Sequence, residues 1–435
     1  MDRKRVLLSL TTLLLTLIFV GVFIIARTSN AAPLSQKTHA VNTTDANEDQ
    51  VYISTTSTSI TALNSSTGAT LWTLQLGHYI DPPTTVNHIV YALVLAIPFS
   101  TLYALDLNKG STLWTFRQNG SVNPPVFNNA VYITVDSATA PYSTTLYKLN
   151  ATTGATIWTF QPGVQLSSTA LISKGVAYIT SENAGPIYAL QASNGKKLWQ
   201  SQPTTDPQLS AREVVGGVLY VDGQGPQYSF GMLYAYSITD GTLLWSTDAG
   251  LWTVVNKITY IKGGTIDNPE ICALDSEAGT PLWCTPGNVI TVADGLAYVT
   301  TDTGLTVFNA RNGMQVWSAH QNQFVTLNQG VVYTVNANNA IEARKATNGA
   351  VLWDSSVTNG FSTVFLIADG KIYASSANNT VLYSLDATNG ALRWSLPLSS
   401  ALPCPTIAHG ILFVLTSDNR VYALQASNGK LLWQH

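Results

Sequence analysis

The chain has 435 residues, of which 46% are hydrophobic and only 10% charged, with a formal net charge of −3. Ser, Thr and Asn dominate the polar fraction, a composition typical of exposed, β-rich extracytoplasmic proteins and unlike that of a cytosolic enzyme. No basic stripe is present for a nucleic-acid backbone, which excludes that class of partner. The six His residues (His39, His78, His88, His320, His409 and His435) are scattered without metal-ligand spacing, and three Cys leave at least one thiol over.

Residues 1–5 read as a cytoplasmic tail. Residues 6–26, VLLSLTTLLLTLIFVGVFIIA, carry no charge. A helix of that length crosses a hydrocarbon core of ~30 Å at about 1.5 Å per residue. Arg3, Lys4 and Arg5 precede it and hold that end inside, so the remainder lies outside a cell membrane crossed once. A cleaved secretory signal, with Ser29-Asn30-Ala31 as the site, is the alternative and gives a secreted protein. The apolar cores of such signals are usually shorter, ~7–15 residues. Residues 27–50 are polar and aperiodic and read as a flexible stalk.

From residue 51 onward one pattern dominates: a Gly with a Trp four places later. The pairs are Gly68/Trp72, Gly110/Trp114, Gly154/Trp158, Gly195/Trp199, Gly241/Trp245, Gly279/Trp283, Gly313/Trp317, Gly349/Trp353, Gly390/Trp394 and Gly429/Trp433. Successive Trp residues are 42, 44, 41, 46, 38, 34, 36, 41 and 39 positions apart. A period near 40 marks a repeat architecture. Within residues 287–317, the segments 288–295, 296–301, 304–310 and 314–317 read as four short strands joined by tight turns. Such a sheet, apolar on both faces, needs neighbours on both sides. Radial stacking supplies them, so residues 51–435 are expected to be all-β: a β-propeller of four-stranded antiparallel blades in a ring of 8–10.

The turn before each Trp needs a positive φ, which Gly takes at little steric cost. Asn194, Asp240, Asn312, Asn348, Asn389 and Asn428 precede the Gly, as residue types that tolerate left-handed geometry. Asp106, Asp275 or Asp386, or Asn64, Asn150 and Asn309, stand four places before the Gly, where an oxygen can accept the turn's N–H groups. Lys345 and Ser237 depart from this, and their turns are expected to be looser. Each Trp is expected to lie flat on the next blade.

These segments carry a resemblance. ALDLNKGSTLW, ALDSEAGTPLW and SLDATNGALRW resemble the tryptophan-docking motif of quinoprotein-type (PQQ-like) propeller repeats, over roughly residues 51–435. YALQASNGK occurs identically at 188–196 and 422–430, which suggests internal duplication. The resemblance implies that the Gly and Trp pairs are blade-docking residues. One branch of that family comprises calcium- and quinone-dependent dehydrogenases. The other uses the same blades without cofactor, as outer-membrane assembly scaffolds or as sensor domains fused to kinases. The dehydrogenase branch has adjacent Cys and long insertions; Cys272, Cys284 and Cys404 are never adjacent and the repeats are short. The reading is therefore a non-enzymatic, cofactor-free, membrane-anchored binding or scaffold module for a protein or glycan partner. A quinone-dependent dehydrogenase and a purely architectural envelope protein are the alternatives.

Ligand-binding candidates are Trp252, the one Trp outside the docking frame, and His78 and Asp81 in GHYIDPP. The competing readings are space filling at the axis for Trp252 and surface positions for the other two. TIDNPE, residues 265–270, reads as a loop. Cys272 and Cys284 flank a hairpin turn; if it centres on Ala278 they face one another and oxidise outside the cytoplasm, leaving Cys404 a free thiol. The alternative is two small apolar residues packed reduced.

Overall fold

The computed structural model describes residues 51–435 apart from 56–57, 97–98, 140–141, 226–229, 266, 356, 358–359, 399–404 and 417–419. The membrane span, tail and stalk proposed for residues 1–50, and Cys404, lie outside the described residues. No helix among the described residues is long and apolar enough to cross a membrane. Among the described residues every regular element is a strand, and the strands form ten antiparallel sheets in chain order, most of them four-stranded. In the seventh sheet the strands are Val289–Ala293, Leu296–Thr301, Gly304–Asn309 and Gln315–His320. β-Branched residues recur in these strands, as in Val289–Ala293 and Leu296–Thr301, and a two-residue turn such as Asp294-Gly295 joins the first two.

The core is divided among the contacts between sheets. Ten buried clusters are present, and each combines residues of two consecutive sheets. One joins Leu63 of the first sheet to Phe413, Val421, Ala423 and Trp433 of the last. The ten sheets thus close into one ring, the upper end of the expected 8–10 blades.

One contact repeats at every junction. The indole N–H of each docking Trp donates to a backbone carbonyl of the following sheet, at 2.7–3.3 Å in all ten cases. Trp72 donates to Leu107 O at 2.8 Å, Trp317 to Ala346 O at 2.8 Å and Trp353 to Ala387 O at 3.2 Å. The tenth bond runs from Trp433 Nε1 to the Ser65 carbonyl at 2.7 Å, across 368 residues of chain.

Each indole also rests on the docking Gly of the following sheet: Trp72 on Gly110, Trp317 on Gly349 and Trp353 on Gly390. The ten Trp residues are therefore junction residues. Trp72 and Trp317 are buried and Trp353 is half-buried; all three spend their one N–H on the junction and offer none to a ligand. The docking Gly residues have φ of 66–75°. Conformation is half of the reason for glycine: a Cβ at any of them would lie 2.4–2.7 Å from the indole of the preceding sheet.

The turns correct two expectations. The Asn or Asp before the Gly is not left-handed; in all six cases its Oδ1 accepts the N–H two residues on, at 3.0–3.2 Å. The turns at Lys345 and Ser237 are not looser, because the structural bond is backbone to backbone. Gly349 N–H donates to the Lys345 carbonyl at 2.9 Å and Gly241 N–H to that of Ser237 at 3.0 Å, against 2.8 Å at Asp106. The oxygen four places before the Gly adds side-chain acceptance, as at Asp106, whose Oδ1 receives Asn108 N–H at 3.0 Å and Lys109 N–H at 2.8 Å.

Two glycine substitutions separate conformation from docking. Gly330 has φ of 75° and an added Cβ would meet nothing within 4 Å, so Gly330→Ala carries only the left-handed cost of about 1–2 kcal/mol. Gly154 has a similar φ of 70° but its Cβ would lie 2.6 Å from Trp114. Denaturant unfolding is expected to show Gly154→Ala as clearly the more destabilising; equal losses would contradict the docking geometry.

Candidate functional site

The docking apparatus is more elaborate than the Gly and Trp pairs alone. A Tyr on the second strand of a sheet packs against that sheet's docking Trp, as in Tyr91 with Trp114 at 5.8 Å and Tyr260 with Trp283 at 6.1 Å between ring centroids. Its hydroxyl can reach the carbonyl that the Trp uses. Ala310 O accepts Tyr260 at 2.8 Å and Trp283 at 3.0 Å, and Ala426 O accepts Tyr373 at 3.2 Å and Trp394 at 3.3 Å. Burial raises the pKa of Tyr260 and Tyr373 to about 12, which keeps both hydroxyls protonated donors. Phe413 takes the Tyr position in the last sheet. In the third sheet Lys148 Nζ donates to Ala192 O at 2.7 Å beside Trp158, and its burial lowers its pKa. The sequence signal for these Tyr residues is their recurrence after a short turn, in IVYALV, VAYIT and KIYAS.

The ligand-binding candidates do not converge. His78 is exposed and Asp81 half-buried beside the second sheet, where Asp81 N–H donates to Leu93 O at 2.9 Å. Burial raises the Asp81 pKa. Trp252 is on the first strand of the sixth sheet, Gly250–Val255, with three sheets between. Pairing passes from Leu251 to Thr253 and leaves Trp252 on a bulge. Its ring is partly buried against the core shared by the sixth and seventh sheets, with Tyr260 and Ile290.

Cys272 and Cys284 are register partners in the sixth sheet and form a disulfide, with Cα atoms 4.1 Å apart. Glu270 places a carboxylate oxygen within 4.8 Å of both sulfurs. Sulfurs bonded to each other present no thiolate, so this trio is no metal-ligand set while the bridge is closed. Within 265–270, Thr265 and Asn268 close a turn by reciprocal backbone bonds of 3.2 and 3.1 Å.

A cleft of about 390 Å³ lies between the fourth and fifth sheets. Gln200, Gln202, Pro203, Thr204 and Thr205 form one wall; Tyr234, Tyr236 and residues 240–243 form the other. The longest Trp-to-Trp step, 46 residues from Trp199 to Trp245, contains both walls. Two anchors fix the 201–208 connection. Thr204 N–H donates to Ala184 O of the fourth sheet at 3.1 Å. Buried Asp206 accepts Gln208 N–H at 3.0 Å, Gln224 N–H at 3.1 Å and a Tyr234 hydroxyl hydrogen bond. Burial, then Tyr234 and Asp206, raise the Tyr236 pKa to about 12. Hydrogen bonds from the Thr242 backbone and hydroxyl lower that of Asp240. Tyr236 is one of three departures from the repeat, with Phe308 and Arg344. At its register, one residue beyond the partner of the docking Trp, seven other sheets carry Leu: Leu63, Leu105, Leu149, Leu190, Leu274, Leu385 and Leu424. Sequence reading missed this cleft because the register had to be known before the exception could be seen.

Thiol titration of the denatured, unreduced chain is expected to find one free thiol; three would refute the Cys272–Cys284 bridge. Its loop of 12 residues is worth about 2–3 kcal/mol in the chain-entropy model, lost on reduction.

A family model described as outer membrane protein assembly factor BamB matches residues 98–249, 229–328 and 337–435. Outer membrane protein assembly factor BamB of Yersinia pestis is 26% identical over 293 residues, 59% of this chain and 72% of that protein. Tetrathionate hydrolase of Acidithiobacillus ferrooxidans is 23% identical over 302 residues, 60% of this chain. The dehydrogenase subunit of a quinone alcohol dehydrogenase of Gluconobacter oxydans is 25% identical over 166 residues, 35% of this chain and 21% of that protein. The chain spans 55% of the hydrolase's length. Relatives of this chain thus bear the names of both assembly factors and enzymes. With ten docking Trp contacts in phase and the family match over most of its length, the chain belongs to the PQQ-like repeat family described as outer membrane protein assembly factor BamB.

Proposed function

We propose that this protein is an extracytoplasmic scaffold, a ring of ten sheets that holds protein partners and has no catalytic step of its own. The observation that carries this reading is the family match, which spans three segments of the ring and shares its description with the Yersinia pestis relative. The physics of the ring agrees with it. The recurrent polar groups at the junctions are committed to holding one sheet on the next, and a rigid frame with variable connecting loops is suited to presenting binding residues. Residues 6–26 would tether the ring to the membrane, with the stalk of residues 27–50 giving it reach. The partner is a protein in this reading; a glycan partner and a purely architectural envelope role are its variants.

The hydrolase relative favours a second reading, an enzyme on the same blades, since it matches 60% of this chain. Cross-linking and affinity capture of the full-length chain from envelopes of its own cells decides between the two. The scaffold reading expects a defined envelope protein recovered in near-stoichiometric amount. Its failure would be no specific protein in the capture, together with micromolar binding of pyrroloquinoline quinone by calorimetric titration.

A further inference from the structure

We propose that the cleft between the fourth and fifth sheets is a saccharide-binding site, taking a neutral polyhydroxylated ring against Tyr234, with the Tyr236 hydroxyl at its edge. Its volume, about 390 Å³, falls in the lower part of the ~300–1,000 Å³ range of small-molecule sites. The Tyr234 ring is half-buried and partly open to the cleft, while the Tyr236 ring, its centroid 6.4 Å away and its plane at 32°, is buried and brings only its hydroxyl edge to the cleft. A sugar presents C–H groups on one face and hydroxyls at its edge, and aromatic rings that end in a polar atom suit both.

The remaining lining residues are mostly amides, hydroxyls and one carboxylate. Gln200 Oε1 already accepts from Lys197 Nζ at 2.6 Å, which leaves its amide N–H groups for a ligand. Asp240, kept ionised by its bonds from Thr242, is an acceptor for ligand hydroxyls. Among the described residues no Lys or Arg lines the cleft; the cation beside it, Lys197, is engaged by Gln200, and the lining carboxylate Asp240 disfavours a phosphate or carboxylate ligand. This donor and acceptor set selects a neutral polyol over an anion.

The repeat supplies an internal control for Tyr236. Packing at its register is satisfied by Leu in seven other sheets, so the junction has no need of a hydroxyl there. The Tyr236 ring shares the core of the fourth and fifth sheets, only 3% exposed, and its hydroxyl has no hydrogen-bond partner among the described residues. A phenol at this register retains the packing and adds a polar atom at the cleft. The wall opposite is built by the longest repeat and tied to both sheets, through Thr204 to Ala184 and through Asp206 to Gln224. It is therefore held in place before any ligand arrives, which lowers the ordering cost of binding.

The site is independent of the scaffold reading: a protein partner can be captured with the cleft empty, and a sugar bound with no partner present. Saturation-transfer NMR on the full-length chain with glucose, maltose, N-acetylglucosamine and its disaccharide tests it, with inorganic phosphate as the anionic probe. At least one saccharide is expected to bind and phosphate to give no competition. Tyr236→Leu restores the residue of seven other sheets, so it should keep the wild-type melting temperature while weakening saccharide binding about three- to tenfold, the scale of losing one hydroxyl hydrogen bond. Should that variant melt early, exposed Gln202→Ala replaces it, with weakened binding expected. Absence of binding by all four saccharides, competition by phosphate, or affinity unchanged in the folded variants would overturn the proposal.

Discussion

Everything in this molecule depends on one contact, an indole laid on a glycine. A sheet with two apolar faces cannot persist alone in water, and here each sheet covers the next through a Trp whose ring rests where a Cβ would otherwise be. The indole N–H then has to find an acceptor in a place that water does not reach, and the next sheet's carbonyl supplies it. Apolar burial and hydrogen bonding are thereby satisfied by one side chain. The Tyr of the second strand braces that Trp, and in four sheets its hydroxyl shares the same carbonyl. Because the contact links only neighbours, the ring's stability is a sum of ten junctions, and the final one exists only if the chain's end meets its beginning.

That arrangement also governs where function can reside. Junction residues are under geometric constraint at ten places, so departures from the repeat stand out as positions released from it or recruited away from it. Lys148 replaces the small residue opposite a docking Trp, yet still donates to the junction carbonyl, so its departure is absorbed by the fold. Trp252 is accommodated by a bulge and its ring by the adjoining core. Tyr236 differs from both: its ring keeps the packing of the Leu it replaces, and its hydroxyl is left over beside a cleft.

The extent to which the fold was legible in the sequence follows from the same constraint. Gly and Trp pairs are visible because both residues are individually demanding and their spacing survives changes in loop length. The second reason for each Gly was not visible, since it depends on a Trp about 40 residues earlier. A ring was expected, but the residues that close it were hidden, because Ser65 and Trp433 are 368 residues apart in sequence. The two Cys residues were readable as facing partners, because a hairpin's register follows from its turn. Turn looseness at Lys345 was misjudged by weighting a side-chain acceptor over the backbone bond that holds the turn. The cleft needed register, the loop's anchors and the fold around them, none of which composition or spacing carries.

The central claim is that ten junctions, including the one between the chain's ends, hold a closed ring. Equilibrium unfolding of full-length Trp433→Ala beside Trp114→Ala tests it most directly. In a closed ring the two truncations remove equivalent docking contacts, each buried to a similar degree, and both should cost about 3–5 kcal/mol. A loss at Trp433 below about 1 kcal/mol, with the full loss at Trp114, would mean that the last sheet does not dock on the first.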